Sequence, residues 1–145
     1  MVCCRELAPG DSPFTRVVVY AWHDGPARGL MACGDCGRAW RFDMVLELAR
    51  PDQPDLRVLR LAGAPEGAID AVSAAMDPWE GPMWPVWTPL VRDAIREAVA
   101  ETLEGIVAAA GPAEHVMAME GWRGILAVKK APERDPKDWL EYVGL

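Results

Sequence analysis

The feature that most constrains the fold is a run of three apolar segments over residues 14–48, separated by two short turns. Residues 15–22 are rich in β-branched and aromatic side chains on both faces of an extended chain, whereas residues 40–48 alternate apolar and polar side chains. A strand covered on both faces is apolar throughout, and a period of two is typical of a strand with one buried face. We therefore expect residues 15–22 to form a central, doubly covered strand and residues 40–48 to form a half-buried antiparallel strand.

Two turns connect these segments. The first, His-Asp-Gly-Pro at residues 23–26, contains the Asp-Gly pair that favours a β-hairpin, and it leads into a short return strand at residues 29–33. The second is Cys-Gly-Asp-Cys-Gly at residues 33–37, in which Gly37 frees the backbone for a tight turn. Residues 14–48 are thus predicted to form three antiparallel strands, with a C-x-x-C-G turn between the last two.

Proline and glycine residues divide the next part of the chain into a fourth strand, at residues 56–61, and two helices. Pro65 fits the first turn of a helix that Pro78 ends. The second helix begins with a Thr-Pro pair at residues 88–89 and stops at Gly-Pro, residues 111–112. Apolar side chains recur along it at the spacing of one helix face, namely Val91, Ile95, Val99, Leu103, Ile106 and Ala110.

The last part of the chain returns to strands and ends in a helix. Residues 115–119 and 125–129 are predicted strands, and Asp-Pro at residues 135–136 begins a short helix. This helix is expected to dock through Trp139, Leu140 and Val143. The order ββββααββα keeps strands and helices in separate blocks, which favours an α+β fold with an antiparallel sheet and one long helix packed on one face.

Length and charge narrow the classes of function. A chain of 145 residues is typical of a single domain, here residues 1–145, with residues 1–13 as an irregular lead-in because they are rich in proline and glycine. The formal net charge of −7 disfavours nucleic acid as a partner and is compatible with a basic protein partner. No apolar run is long enough to span a bilayer, and residues 1–6 lack the core of a signal peptide. We therefore expect a cytoplasmic protein with no membrane partner.

The two cysteines of the second turn have the spacing of a metal-binding knuckle. Thiolates at Cys33 and Cys36 could hold one ion from a single turn, and a structural zinc site needs two further ligands. The five residues of this turn resemble half of a zinc ribbon, which implies metal chemistry but neither a fold nor a partner. The chain contains four cysteines and two histidines, so the other candidate ligands are Cys3, Cys4, His23 and His115.

Topology selects the N-terminal cysteines over the histidines. A return strand of about five residues would place His23 roughly 15 Å from the turn at Cys33. The chain before residue 15, by contrast, enters the first strand at the end where the second strand leaves. The predicted zinc ligands are Cys33, Cys36, Cys3 and Cys4. Adjacent residues point apart in an extended chain, so a site with only one N-terminal cysteine and an external ligand is an alternative, as is a turn that binds no metal.

Other chemistry has less support. A redox role for the C-x-x-C pair is disfavoured, because thioredoxin-like sites place the motif before a helix and here a strand follows. The sequence contains no recognisable nucleophile motif, phosphate-binding glycine loop or metalloprotease motif, so no catalytic residue is assigned. A small enzyme or ligand-binding protein, with a pocket between sheet and helix lined by Arg38 or Arg41, is the alternative hypothesis.

Three tryptophans distinguish the segment before the second helix. Trp79, Trp84 and Trp87 are interleaved with four prolines, which makes this segment stiff and apolar. Packing over an open edge of the core is one interpretation, and a partner-binding surface is the other, because exposed tryptophan clusters mark interaction sites. The leading hypothesis is therefore a small binding or regulatory module, stabilised by zinc, whose partner is a protein such as a basic toxin or enzyme.

Overall fold

A computed structural model describes residues 2–22, 27–47, 52, 55–77, 89–107, 111–134 and 139–144. The strands are β1 (Phe14–Trp22), β2 (Ala27–Cys33), β3 (Ala39–Glu47), β4 (Leu56–Gly63), β5 (His115–Glu120) and β6 (Gly124–Lys130). The helices are α1 (Ala68–Met76), α2 (Pro89–Val107) and α3 (Trp139–Val143), and a 3₁₀ helix at Cys4–Glu6 precedes the first strand. The predicted order of elements and the α+β class are confirmed.

The six strands form one antiparallel sheet whose spatial order, β1 to β6, is the order of the chain. β1 is therefore an edge strand of the described sheet, and the expectation that residues 15–22 form a central strand was wrong. Thr15, Arg16 and Val17 are exposed, whereas Tyr20 is fully buried. The β-branched run reflects the preference of these residues for an extended backbone, which an edge strand satisfies as well as a central one.

The alternation along β3 separates two faces of the sheet, as predicted. We call the side that carries Trp40, Phe42 and Met44 the Trp40 face, and these three side chains lie in one buried cluster. The 3₁₀ helix contributes the buried Cys4 to the same cluster, so the lead-in covers this face. The cluster also contains Ala27, Met31, Cys33, Leu59, Leu61, Met117, Met119 and Ile125.

The opposite side of the sheet, which we call the helix face, is covered by two separate groups of helices. α1 and α2 pack over β1 and β2 through a cluster that includes Tyr20, Leu30, Val72, Leu103 and Val107. α3 packs over β4 and β5 through a second cluster, in which Trp139, Leu140 and Val143 are buried. The predicted docking of the terminal helix is thus confirmed.

The start of α1 differs from the prediction. The helix begins at Ala68, and its N-cap is Gly67 with φ +75°, a left-handed conformation that glycine adopts without strain. Pro65 therefore precedes the helix, and its carbonyl accepts a hydrogen bond from the Ala68 N–H at 3.1 Å. A proline that fixes φ fits this turn as well as it fits a first helical turn.

Several predicted features lie outside the described residues. These are the turn at residues 23–26, the helix limits at Pro78 and Thr88, the Asp-Pro pair at residues 135–136, and Trp79, Trp84 and Trp87. In the part of the chain that the structure describes, no helix is long and apolar enough to cross a membrane.

The close approach of β2 to Phe42 generates a prediction about stability. A Cβ atom at Gly29 would lie 2.2 Å from the Val18 carbonyl oxygen and 2.5 Å from Cζ of Phe42. We expect Gly29→Ala to lower the free energy of unfolding by about 1–3 kcal/mol, because a close-packed core does not accommodate the methyl group. The measurement is urea denaturation followed by tryptophan fluorescence.

Gly105→Ala is the matched control, because nothing lies within 4 Å of the Cβ built at this position in α2. Here the same substitution should raise stability by about 1 kcal/mol through the higher helix propensity of alanine. Equal effects of the two substitutions would contradict the packing described for Gly29.

Candidate metal centre

The turn between β2 and β3 is held by its own backbone. The Cys33 N–H donates to the Arg38 carbonyl and the Gly37 N–H donates to the Cys33 carbonyl, each at 2.9 Å. Gly37 has φ +75°, a left-handed conformation that glycine adopts without strain and that allows the tight turn predicted here. The Gly34 N–H donates to the Pro13 carbonyl at 2.7 Å, which ties the turn to the end of the lead-in.

The lead-in bends sharply between its two cysteines. Cys3 has an extended backbone (φ −91°, ψ 149°), and the 3₁₀ helix begins at the next residue. The Glu6 N–H donates to the Cys3 carbonyl at 3.1 Å, which closes this turn. The change from extended to helical backbone removes the obstacle anticipated for adjacent cysteines, because their side chains need not point in opposite directions. Cys4 is 1% exposed, Cys3 is half-buried, and both lie near the β2–β3 turn.

The structure brings the four predicted ligands together. The sulfur atoms of Cys3, Cys4, Cys33 and Cys36 all lie within 4.8 Å of one another, and Cys4 Sγ and Cys36 Sγ are 3.5 Å apart. Thiolates around a tetrahedral zinc ion, at Zn–S distances of about 2.3 Å, lie about 3.8 Å from each other. The four cysteines are therefore placed so that they could hold a metal ion. His115 does not belong to this group of possible ligands and packs on the Trp40 ring with centroids 5.7 Å apart, and His23 is outside the described residues.

Backbone N–H groups are directed at Cys33. Burial disfavours its thiolate, but hydrogen bonds from the backbone of Cys36, Cys4 and Asp35 outweigh burial and lower the pKa of Cys33 to about 7. The Cys4 N–H lies 3.4 Å from Cys33 Sγ. The turn and the lead-in thus supply the N–H donors that a helix N-terminus supplies in a thioredoxin-like site, although a strand follows the C-x-x-C motif here.

The N-terminal thiols are in a different environment. Desolvation raises the pKa of Cys4 to about 12, and the neighbouring Cys36 and Cys33 add to this effect. The Trp40 indole N–H favours the Cys4 thiolate, although it makes no hydrogen bond to any described residue. At Cys3 the Arg5 backbone N–H favours the thiolate, but desolvation, Cys36 and Asp35 together raise the pKa. Bringing negative charge onto all four sulfurs therefore requires a cation among them.

Trp40 connects this cluster of sulfurs to the core, and the sequence indicated only that it would be buried. The Arg38 guanidinium lies 3.9 Å from the Trp40 ring centroid and donates to Glu114 Oε1 at 2.8 Å. These contacts hold the indole next to Cys4. Among the described residues, Arg38 thus contacts Trp40 and Glu114, and it is not part of the cleft that Arg41 lines.

A second polar cluster lies on the helix face, where α2 meets the sheet. Glu104 Oε1 accepts hydrogen bonds from the Tyr20 hydroxyl at 3.0 Å and from Arg28 at 2.9 Å, and Glu104 Oε2 is 3.2 Å from Arg41. Asp43 lies 3.4 Å from Arg28 and 3.6 Å from Arg41. Beside this cluster is an open cleft of about 220 Å³, lined by Arg41, Asp43, Arg60, Ala62, Gly111, Pro112 and Ala113.

Comparison of the chain with models of known protein families, with curated proteins and with solved structures finds no match.

The environments of the thiols predict how each will react in metal-free protein. Because the thiolate is the nucleophile, labelling of Cys33 by iodoacetamide should rise as pH passes about 7, below the usual thiol value of 9.0, although the rate should be slow at every pH because Cys33 is 2% exposed. Cys4 should stay unlabelled in this range, because its pKa is raised to about 12. Peptide mass spectrometry after labelling at pH 6 to 9 measures both.

Protein unfolded in urea is the control, since all four thiols should then titrate alike. An inflection for Cys33 in folded protein that coincides with the unfolded control would show that the backbone N–H groups do not stabilise its thiolate.

Proposed function

We propose that this chain is a small protein-binding module whose lead-in is fastened to the sheet by a structural zinc ion, with Cys3, Cys4, Cys33 and Cys36 as ligands. The convergence of four sulfurs within 4.8 Å is the observation that carries this proposal. A set of four thiolates is typical of structural zinc and leaves no open coordination position for a substrate. The site therefore favours a stabilising role over a catalytic one.

The position of the sulfur cluster explains why a cross-link would matter here. In the described residues, the backbone hydrogen bonds that hold residues 8–13 to the rest of the chain are at Gly10, Asp11 and Pro13. The earlier residues of the lead-in contact the Trp40 face mainly through Cys4, Cys3 and Leu7. A metal ion shared with the turn would join two segments that lie 29 residues apart between Cys4 and Cys33. Its binding energy would then add directly to folding energy.

An exposed apolar pair supports a partner-binding role for the neighbouring tryptophan segment. Leu90 is 80% exposed and Val91 is 45% exposed at the start of α2, directly after the segment that contains Trp84 and Trp87. Large exposed apolar side chains that adjoin a tryptophan-rich segment are typical of interaction surfaces. The net charge of −7 favours a basic partner for this surface.

A ligand-binding function is the second candidate, and the cleft on the helix face is the observation that favours it. Arg41, which the alternative hypothesis placed in a pocket between sheet and helix, lines this cleft with Asp43 and residues 111–113. Its volume of about 220 Å³ lies below the range of roughly 300–1,000 Å³ that is usual for drug-sized ligands. Only a small polar molecule would fit, so binding of a protein partner is the better-supported function.

The zinc proposal predicts the metal content of the purified protein. Protein isolated without added metal should contain about one zinc per chain, and Cys33→Ser should lose it. A cross-link between distant segments typically contributes about 3 kcal/mol, so the melting temperature of Cys33→Ser should fall by roughly 10 °C in a chain of this size. Elemental analysis and calorimetry measure the two quantities.

Val2→Ser is the control for a serine placed near the centre, because Val2 is exposed and is not a ligand. It should retain zinc and the melting temperature of the natural sequence. The zinc proposal is wrong if metal-free protein takes up no zinc and if Cys33→Ser and Cys36→Ser leave stability unchanged. Residues 33–37 would then be a turn without a metal.

The partner-binding proposal predicts that substitutions in and beside the tryptophan segment weaken partner binding without lowering stability. Trp84→Ala, Trp87→Ala and Leu90→Ala should leave the urea midpoint nearly unchanged and weaken binding to the partner recovered by pulldown. If the segment instead covers the core, each tryptophan substitution should destabilise by about 3 kcal/mol or more. Unchanged stability together with unchanged binding would exclude both interpretations.

A further inference from the structure

The lead-in runs beside the edge strand β6 and diverges from it. At one end the Gly10 N–H donates to the Ile125 carbonyl at 2.6 Å and the Ile125 N–H donates to the Asp11 carbonyl at 3.3 Å. At the other end, Arg5–Leu7 and residues 128–131 line a common groove of about 620 Å³. Cys3 and Cys4 adjoin this end of the lead-in and lie beside the β2–β3 turn, so a metal ion among the sulfurs would anchor the side of the groove that Arg5–Leu7 form.

The β6 backbone presents unpaired groups to this groove. The Ala131 N–H donates to the Glu114 carbonyl at 2.9 Å, which places the Ala131 backbone on the side of β5. Backbone groups alternate in direction along an antiparallel strand, so those of Lys130 and Val128 face away from β5. The Lys130 carbonyl accepts the Tyr142 hydroxyl. No described residue pairs with the outward N–H and C=O of Val128.

The lining of the groove differs in charge from the protein as a whole. It contains the basic side chains of Arg5, Lys129 and Lys130 and the acidic side chains of Glu6 and Glu114. Glu114 is paired with Arg38 at 2.8 Å, and the Lys129 ammonium lies 5.4 Å from the Tyr142 ring centroid, which leaves Arg5 and Lys130 against Glu6 in a chain of net charge −7. Leu7 and Val128 add an apolar floor that continues into the core of the Trp40 face.

We propose that this groove binds an extended acidic peptide segment of a partner protein, which pairs with Val128 and adds a strand to the β6 edge. Strand addition supplies backbone hydrogen bonds, alternate apolar side chains enter the groove beside Leu7, and acidic side chains meet Arg5 and Lys130. The proposal rests on the proposed function, because the zinc ion would hold Arg5 away from β6. The groove has a volume of about 620 Å³, which is in the usual range for binding pockets of roughly 300–1,000 Å³.

The test uses zinc-loaded full-length protein and two labelled, end-blocked hexapeptides, one alternating valine with glutamate and the other alternating valine with lysine. Fluorescence anisotropy should show saturable binding of the glutamate peptide, at least about tenfold tighter than that of the lysine peptide. Lys130→Glu should weaken binding of the glutamate peptide by about tenfold or more. Val128→Pro should abolish it, because proline lacks the N–H and is tolerated at an edge strand.

Arg123→Glu is the matched control, since Arg123 is exposed in the β5–β6 turn and does not line the groove. It makes the same change of charge and should leave the affinity for the glutamate peptide unchanged. If Val128→Pro fails to fold, the comparison of Lys130→Glu with Arg123→Glu still tests whether the glutamate peptide binds in the groove. Equal weakening by these two would show a general charge effect and would overturn the proposal.

Elemental analysis of the same samples separates this proposal from the proposed function. If zinc-loaded protein binds neither peptide, or binds both equally, the peptide-binding proposal is wrong and the structural zinc site is unaffected. Zinc-loaded protein that loses peptide binding when the metal is removed by a chelator supports both. Protein that takes up no zinc would overturn both, because the proposal includes the dependence on zinc.

Discussion

Burial of Trp40, Phe42 and Met44 on one side of β3 is the interaction on which the rest of the structure depends. Phe42 fills the space that a side chain at Gly29 would need, so the Phe42 ring packs directly against the backbone of β2. Trp40 belongs to the same buried cluster as Met44 and also lies next to Cys4. Because one strand supplies both contacts, a change in core packing would move the sulfur cluster as well.

The other side of β3 makes a polar connection to α2. Arg41 meets Glu104, which also accepts from Tyr20 on β1 and Arg28 on β2, and Asp43 lies beside the same two arginines. These groups are partly exposed, so each pair contributes little to stability by itself. Together they fix the rotation of α2 over the first three strands, because the carboxylate of one residue reaches partners on all of them. The charged face of β3 is therefore a structural contact as well as a solvated surface.

Local patterns in the sequence predicted most of the elements and misplaced those whose surroundings are set by distant residues. The period of two in β3, the turn at Gly37 and the buried residues of α3 follow from short-range chemistry, and the structure agrees with them. The position of β1 at an edge could not be derived, because a β-branched run is compatible with any place in a sheet. The helix start at Ala68 depends on the conformation of Gly67, which the sequence pattern leaves open.

The sequence was sufficient to select the four cysteines of the candidate centre, but not to predict the contacts that surround them. The direction of three strands sufficed to select Cys3 and Cys4, since topology alone decides which chain ends meet. The 3₁₀ turn after Cys3, the indole of Trp40 beside Cys4 and the pairing of Arg38 with Glu114 required the folded chain. Glu114 lies 76 residues from Arg38, and no periodicity or spacing rule relates residues so far apart.

The arrangement of the sheet has a consequence for the order of events during synthesis. All four cysteines lie within the first 36 residues, whereas the backbone partner of Gly10 and Asp11 is Ile125. A ribosome-bound chain would therefore complete the cysteine set long before β6 exists. Domains acquire structure as they are made, and neighbouring strands in this sheet pair in the order of the chain. The lead-in could thus be set in place first, with β6, the last strand of the described sheet, joining it at the end.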